Sequence, residues 1–262
     1  MAALTSRITL KGDGPDDPED FLSTSLGVIF PDDVTNQHGD AEHSLIYTSP
    51  YLPKPLLFDL ADPEGETDLR LFSHYLWNAS LLLAELVERD SLEAAAVAAS
   101  KTTEGSLGEG VSFDVRGLTT LELGAGTALP SVMSGLLGAE RVVVTDYPAP
   151  TVMKTLKTNV GRNITPDLAP EERKADVTSH AFDRMFVADC LWMPWQHANL
   201  RASIGHFLKD TPDARAWVVA GFHTGRPKMA GFFDAEALRT EGVSRWRGFG
   251  SRSVMGRRGS GM

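Results

Sequence analysis

An apolar run that ends in closely spaced glycines and passes straight into a helical pattern constrains this chain more than any other feature. It reads as a buried strand at Leu118–Leu123, a tight turn at Gly124–Gly126 and a helix at Thr127–Leu137. Small residues in such a turn let the backbone bend sharply and approach a ligand closely. The amides that open the helix have no intrahelical partner, so a ligand at the strand's carboxyl end meets available N–H donors. A second strand, Arg141–Thr145, is nearly continuous in β-branched residues and runs into Asp146, 22 positions after Gly124. An acidic side chain at that place accepts hydrogen bonds from ribose hydroxyls. Strand, Gly-x-Gly, helix, strand and terminal aspartate, in that order, point to a nucleoside-cofactor site.

The rest of the chain keeps the alternation. Helix Ala149–Asn159, strand Phe182–Ala188, helix His197–Leu208, strand Ala216–Ala220 and helix Met229–Leu238 follow. Strands separated by helices of this length pair in parallel, because each needs a crossover to return, and right-handed crossovers build a doubly wound α/β sheet. Upstream, Arg70–Asp90 reads as a helix with Leu76, Ala79, Leu83 and Leu86 on one stripe, and Leu92–Lys101 as a second helix. Ile46–Tyr47 and Leu56–Leu60 form a short hairpin candidate around a Pro-rich turn. The expected organisation is an N-terminal helix-and-hairpin extension over residues 1–69, a catalytic domain over 70–240, and a Gly/Arg/Ser-rich disordered tail over 241–262. Asn163–His180 stands where a third strand belongs yet carries almost no apolar character, so the sheet is expected to lack a strand.

A net charge of −10 makes general affinity for nucleic acid unfavourable. The single cysteine, Cys190, allows no intramolecular disulfide, and no Cys/His cluster has zinc spacing, so no metal is expected. The chain begins without a sustained apolar segment and holds no run long enough for a membrane span, which makes cytoplasmic residence the expectation.

The third glycine of a dinucleotide fingerprint is replaced by Leu129, with Pro130 behind it. Leucine there hinders close helix–strand approach and suits a cofactor without a pyrophosphate, namely S-adenosyl-L-methionine. Glu122 fits the acidic position opening the E-x-G-x-G pattern of methyltransferases. The residues alone leave an NAD(P)-dependent oxidoreductase open as the alternative.

Four blocks, LFSHYLWNAS, LELGAGTALPSVMSGLLGAERVVVTDYP, FVADCLWMPWQHANL and VVAGFHTGR, occur in order between about residues 70 and 240. Together they resemble the fungal nicotinamide N-methyltransferase-like proteins. That group is similar to the protein N-terminal and lysine methyltransferases acting on elongation factor 1-alpha, in seven-β-strand methyltransferase family 16. The resemblance implies a Rossmann-like class I methyltransferase fold with S-adenosyl-L-methionine as cofactor. The implied acceptor is a protein amine, an N-terminus or a lysine of a partner such as elongation factor 1-alpha, with nicotinamide as the small-molecule alternative.

The resemblance also implies cofactor contacts at Trp77, Gly124, Ala125, Gly126, Asp146 and Ala188. The family's D-x-x-Y motif stands here as Asp189-Cys-Leu-Trp192, which gives Asp189 and Trp192 the catalytic places; tryptophan keeps an aromatic wall and removes a phenolic oxygen. An aromatic face beside a sulfonium gains about 0.5–2 kcal/mol, although Trp77 beside a buried stripe reads equally as core. Trp195 and His197 are candidates for the substrate mouth or for packing under the next helix. His223 is a rim candidate, and His74 is read as a structural residue within a helix. The tryptophan-bearing turn of the family is missing from 163–180 and its final strand pair from the tail, so a non-catalytic relative is a further alternative.

Overall fold

Two short apolar runs, Leu45–Tyr47 and Leu56–Phe58, alternate buried and half-buried side chains, the period of a sheet with one covered face. The computed structural model describes residues 4–11, 37–39, 43–62, 72–97, 112–164, 180–221 and 225–240. Strands β1 (Ile8–Leu10), β3 (Leu45–Tyr47) and β4 (Leu56–Phe58) form an antiparallel sheet with β3 in the centre. Leu45, Tyr47, Leu56 and Phe58 are buried, while Ile46 and Leu57 between them are half-buried. The hairpin is the one expected from sequence; β1, and a two-residue strand β2 (Gln37–His38), arise within an acidic stretch whose pattern did not announce them. Arg7 fastens this sheet to the helical segment that carries Glu88. Its guanidinium donates to the Tyr47 hydroxyl at 2.8 Å and to the buried Glu88 carboxylate at 2.6 Å, whose other oxygen accepts from Ser49.

The helix expected from Arg70 begins eight residues later. Phe72 has φ of 53° and is followed by a turn and by strand β5 (Leu76–Trp77), which pairs antiparallel with β2. Helix α1 (Asn78–Val97) then opens on asparagine, a residue that favours helix starts, and its side-chain oxygen lies 2.6 Å from His38 Nε2. The backbone groups of Leu76 and Trp77 are thus satisfied by a partner strand about forty residues away, which no local periodicity reveals. No glycine or proline interrupts Asn78–Val97, and the two helices expected from sequence are one.

Four parallel strands follow: β6 (Thr119–Leu123), β7 (Arg141–Thr145), β8 (Arg184–Ala188) and β9 (Arg215–Val219), in the order β7-β6-β8-β9. Between them lie helices α2 (Leu129–Leu136), α3 (Pro150–Asn163) and α4 (His197–Phe207), α2 and α3 each with a proline in the first turn, where its missing N–H costs nothing. The chain steps from β6 outward to β7, then returns past β6 to β8. The strand order therefore reverses between β6 and β8, where doubly wound sheets place their ligands. The expected last helix is instead two, α5 (Arg226–Ala230) and α6 (Ala235–Thr240), because Asp234 breaks the run and accepts the Ala237 N–H at 2.8 Å. Among the described residues β7 has a neighbour on one side only, and all five of its residues are half-buried. The weak third-strand region (165–179) and the tail (241–262) lie outside the described residues.

One face of the sheet (Phe186, Trp217) shares a core with α1, α2 and Leu45, Tyr47 and Phe58 of the small sheet; the other face packs Leu121, Met185 and Val187 on Ile204 and Phe232. Buried Asn159 ties three parts together. Its side-chain oxygen accepts the Asp59 N–H at 2.8 Å, and its amide donates to the carbonyls of Asp59 at 3.0 Å and Thr127 at 3.2 Å. Among the described residues no helix is long and apolar enough to cross a membrane.

Candidate functional site

The turn after β6 uses left-handed backbone at alternate residues: Gly124 (φ 64°), Gly126 (φ 55°) and Ala128 (φ 64°). A side chain at such φ costs about 1–2 kcal/mol, which fully buried Ala128 bears and the glycines avoid. A Cβ on Gly124 would lie 2.7 Å from Cys190 Sγ, so its absence lets the loop after β8 close on the turn. At Gly126 such a Cβ would only touch the Ser73 and Tyr75 carbonyls, 3.8 and 3.9 Å away, so it is the positive φ that favours glycine there. Leu129, at the third-glycine position, is fully buried in the core shared with α1.

Asp146 shapes this turn. One carboxylate oxygen accepts the Gly126 N–H at 2.6 Å and the other accepts the Tyr147 N–H at 2.6 Å. Burial raises its pKa, and the two amides oppose that rise. A carboxylate has about four lone-pair positions, so two remain for a ligand.

Glu122 lies beneath the turn, outside the cavity lining. One oxygen accepts from the Ser131 N–H at 3.1 Å and hydroxyl at 2.5 Å, joining β6 to the first turn of α2; the other has no partner. Burial, opposed by the Ser131 bonds and reinforced by the Asp146 charge, pushes its pKa up to about 8. The folded state therefore holds a proton that the unfolded chain releases near pH 4.5. Stability from this group is complete below that value and is lost as the pH rises toward 8. Glu122→Gln, which has no proton to lose, is expected to flatten this decline in melting temperature between pH 5 and 8. Equal slopes in the two proteins would refute the assignment.

At the carboxyl ends of β6 and β8 lies a cavity of about 460 Å³. Gly124, Ala125, Gly126, Thr127, Asp146, Ala188, Asp189, Cys190, Trp77 and Trp192 line it, as do Phe72, Tyr75 and Tyr147. Every cofactor or catalytic candidate read from the sequence except Glu122 thus borders one space. Asp189 (φ 57°) is buried; its N–H donates to Val219 O at 2.7 Å, and its carboxylate accepts the Gly221 N–H at 3.2 Å. The Cys190 thiol sits 3.4 Å from the carbonyls of both Leu123 and Ala188, and burial pushes its pKa up.

Phe72 stands edge-on to Trp192 with centroids 5.2 Å apart and edge-on to Trp77 at 6.3 Å; the Trp77 indole N–H donates to its carbonyl at 3.0 Å. Trp77 is half-buried and lines the cavity, so it serves as wall and as packing at once.

The remaining candidates separate. His197 is buried, with Nε2 2.9 Å from Leu191 O, and supports the loop from below. Trp195 does not line the cavity and is exposed. His74 is buried, in the turn before β5 rather than in the expected helix. His223 lies outside the described residues. Sequence reasoning missed Phe72 and Tyr75, which the expected helix would have turned away from Trp77, and Asn199 and Ser203, whose i, i+4 spacing on α4 was a usable signal for a shared face.

The profile of the lysine methyltransferase family matches residues 66–235, well over half of the chain. The protein N-terminal and lysine N-methyltransferase EFM7 of Gibberella zeae is 28% identical over 214 residues, 71% of this chain and 69% of that protein. The enzyme of that name from Neurospora crassa is 28% identical over 205 residues, covering 68% and 62% of the two chains. That from Schizosaccharomyces pombe is 28% identical over 177 residues, covering 61% and 59%. The chain thus spans roughly three fifths to seven tenths of the length of these relatives. With four ordered strands, a glycine turn at the point of strand reversal and a profile match across both, the chain belongs to the lysine methyltransferase family.

Proposed function

We propose that this methyltransferase uses S-adenosyl-L-methionine to methylate an amine on a protein, an N-terminal α-amine or a lysine, with elongation factor 1-alpha as the candidate acceptor. The observation that carries this reading is the cavity's polarity. Among the described residues its formally charged lining side chains are Asp146 and Asp189, and none of those residues lining it is a lysine, arginine or histidine. Such a lining suits a sulfonium and a cationic amine and offers no cationic side chain to a pyrophosphate. Thr127 Oγ1, buried without a partner at this wall, adds a polar group for a ligand to satisfy.

In this reading Trp77, Gly124, Ala125, Gly126, Asp146 and Ala188 hold the cofactor, and Glu122 acts one layer below through Ser131. S-adenosyl-L-methionine, when bound, supplies an electrophilic methyl group. The chain's own part is to place and desolvate the amine. Asp189, fixed by backbone bonds to β9 and the residue pair after it, offers a carboxylate to an ammonium, and Trp192 supplies an aromatic wall. Positioning alone contributes much to such a displacement. An α-amine with a pKa of about 7.7–8.0 is roughly a tenth neutral at pH 7, whereas a lysine near 10.4 is less than about a thousandth neutral. An N-terminal acceptor asks less of the site. Residues 70–240 form the proposed catalytic unit, with 1–69 as an extension whose described strands pack on it, acting in the cytoplasm.

Calorimetric titration with adenosylhomocysteine is expected to show saturable binding, and labelled methyl is expected to pass to purified elongation factor 1-alpha and not to nicotinamide. Binding of NADH without adenosylhomocysteine would overturn the cofactor assignment. Transfer to nicotinamide alone would overturn the acceptor.

A further inference from the structure

Among the described residues five large apolar side chains stand out in solvent: Leu10, Tyr51, Phe72, Tyr147 and Trp195. Phe72 and Tyr147 line the cavity, and Trp195, the most exposed at 71%, directly precedes a third lining residue, Gln196. Apolar side chains scattered singly on a surface need no explanation, but two bordering one opening, with a third on the residue next to its lining, do.

Trp195 stands on a fixed base. It occupies a 3-10 turn, Pro194–Gln196, closed by the Gln196 N–H to Met193 O at 2.9 Å. The Gln196 side chain accepts from Asn199 at 2.7 Å, and buried His197 anchors the turn from beneath with its ring edge-on to Phe232 at 5.6 Å. A large aromatic held in water on an ordered turn loses little freedom when a partner covers it. Tryptophan and tyrosine are also the side chains that most often carry binding energy at interfaces.

Charge selects the partner. The chain carries −10 overall, and Asp146 and Asp189 are the charged side chains of the cavity beneath the rim. Exposed indole and phenol faces attract lysine and arginine through cation–π contact. We infer that Phe72, Tyr147 and Trp195 form a docking rim for the basic polypeptide that carries the acceptor amine, with Trp195 its main contact. The inference rests on the protein-amine reading above and adds the surface that would recognise the residues flanking the amine.

The test compares full-length wild type with Trp195→Ala and Trp195→Phe, using elongation factor 1-alpha and a tripeptide copying its amino terminus as acceptors. Adenosylhomocysteine titration and a melting curve accompany each protein. For Trp195→Ala, kcat/KM on the whole protein is expected to fall about five- to thirtyfold, mainly through KM, the range for losing one interface aromatic. The fall on the tripeptide should be several times smaller, and Trp195→Phe should recover most of the loss. An equal fall on both acceptors would place Trp195 in the local structure of the site and overturn the rim. No fall on the whole protein would overturn it as well. If wild type binds adenosylhomocysteine but methylates neither acceptor, the acceptor reading and the rim fall together while the cofactor reading stands.

Discussion

Asp146→Asn is expected to weaken adenosylhomocysteine binding by about tenfold to somewhat over a hundredfold, the worth of one charge-assisted hydrogen bond. The geometry makes this change more disruptive than a simple loss of charge. Both oxygens of Asp146 accept backbone N–H groups, those of Gly126 and Tyr147, each at 2.6 Å. Asparagine offers one acceptor and one donor, so in either orientation an NH₂ group meets a backbone N–H. One of the two backbone bonds, to Gly126 or to Tyr147, is then lost, and the remaining oxygen is uncharged. Acidification should imitate the substitution. Burial already raises the pKa of Asp146, so wild-type affinity should decline as pH falls into the carboxylate range. The asparagine variant should lack this component. Unchanged affinity in the variant at neutral pH would remove Asp146 from the cofactor site.

The sheet and the turn were legible because their determinants are local. Arg141–Thr145 reads as nearly continuous β-branched sequence, the pattern of a parallel strand, and its bounds in the structure are those read from the chain, although all five residues are half-buried. Gly124, Gly126 and Asp146 were legible for the same reason, since a tight turn and a strand end restrict residue type directly. The approach to α1 was not legible. LFSHYLW has apolar residues at helical spacing, yet Phe72 turns left-handed and Leu76–Trp77 pair with Gln37–His38, an interaction decided by distant chain. The aromatic wall depends on that turn: in the expected helix Trp77 would point away from the face shared by Phe72 and Tyr75, whereas here it packs edge-on to both. Glu122 illustrates the other limit. Its motif position was plain, but that its carboxyl faces Ser131 instead of the cavity depends on the closure of α2 onto β6, which residue spacing does not specify.

Gly124→Ala is expected to abolish measurable cofactor binding at ordinary concentrations, and a paired substitution separates its two causes. The first is conformational: at φ of 64° an alanine costs about 1–2 kcal/mol, whatever surrounds it. The second is steric, because the new methyl would sit 2.7 Å from Cys190 Sγ. That sulfur is half-buried and sits 3.4 Å from the carbonyls of Leu123 and Ala188, so relief means turning the thiol away from them or moving the loop bearing Asp189. Overpacking of this kind costs about 1–3 kcal/mol. Cys190→Ala removes the contact and leaves the backbone cost. The double variant should therefore be more stable, and bind adenosylhomocysteine more tightly, than Gly124→Ala alone, although Cys190→Ala by itself should weaken both properties slightly. Melting temperatures and calorimetric titrations of the four proteins close the cycle. If the two substitutions merely add, the Gly124–Cys190 approach contributes nothing, and the glycine is required for its backbone conformation alone.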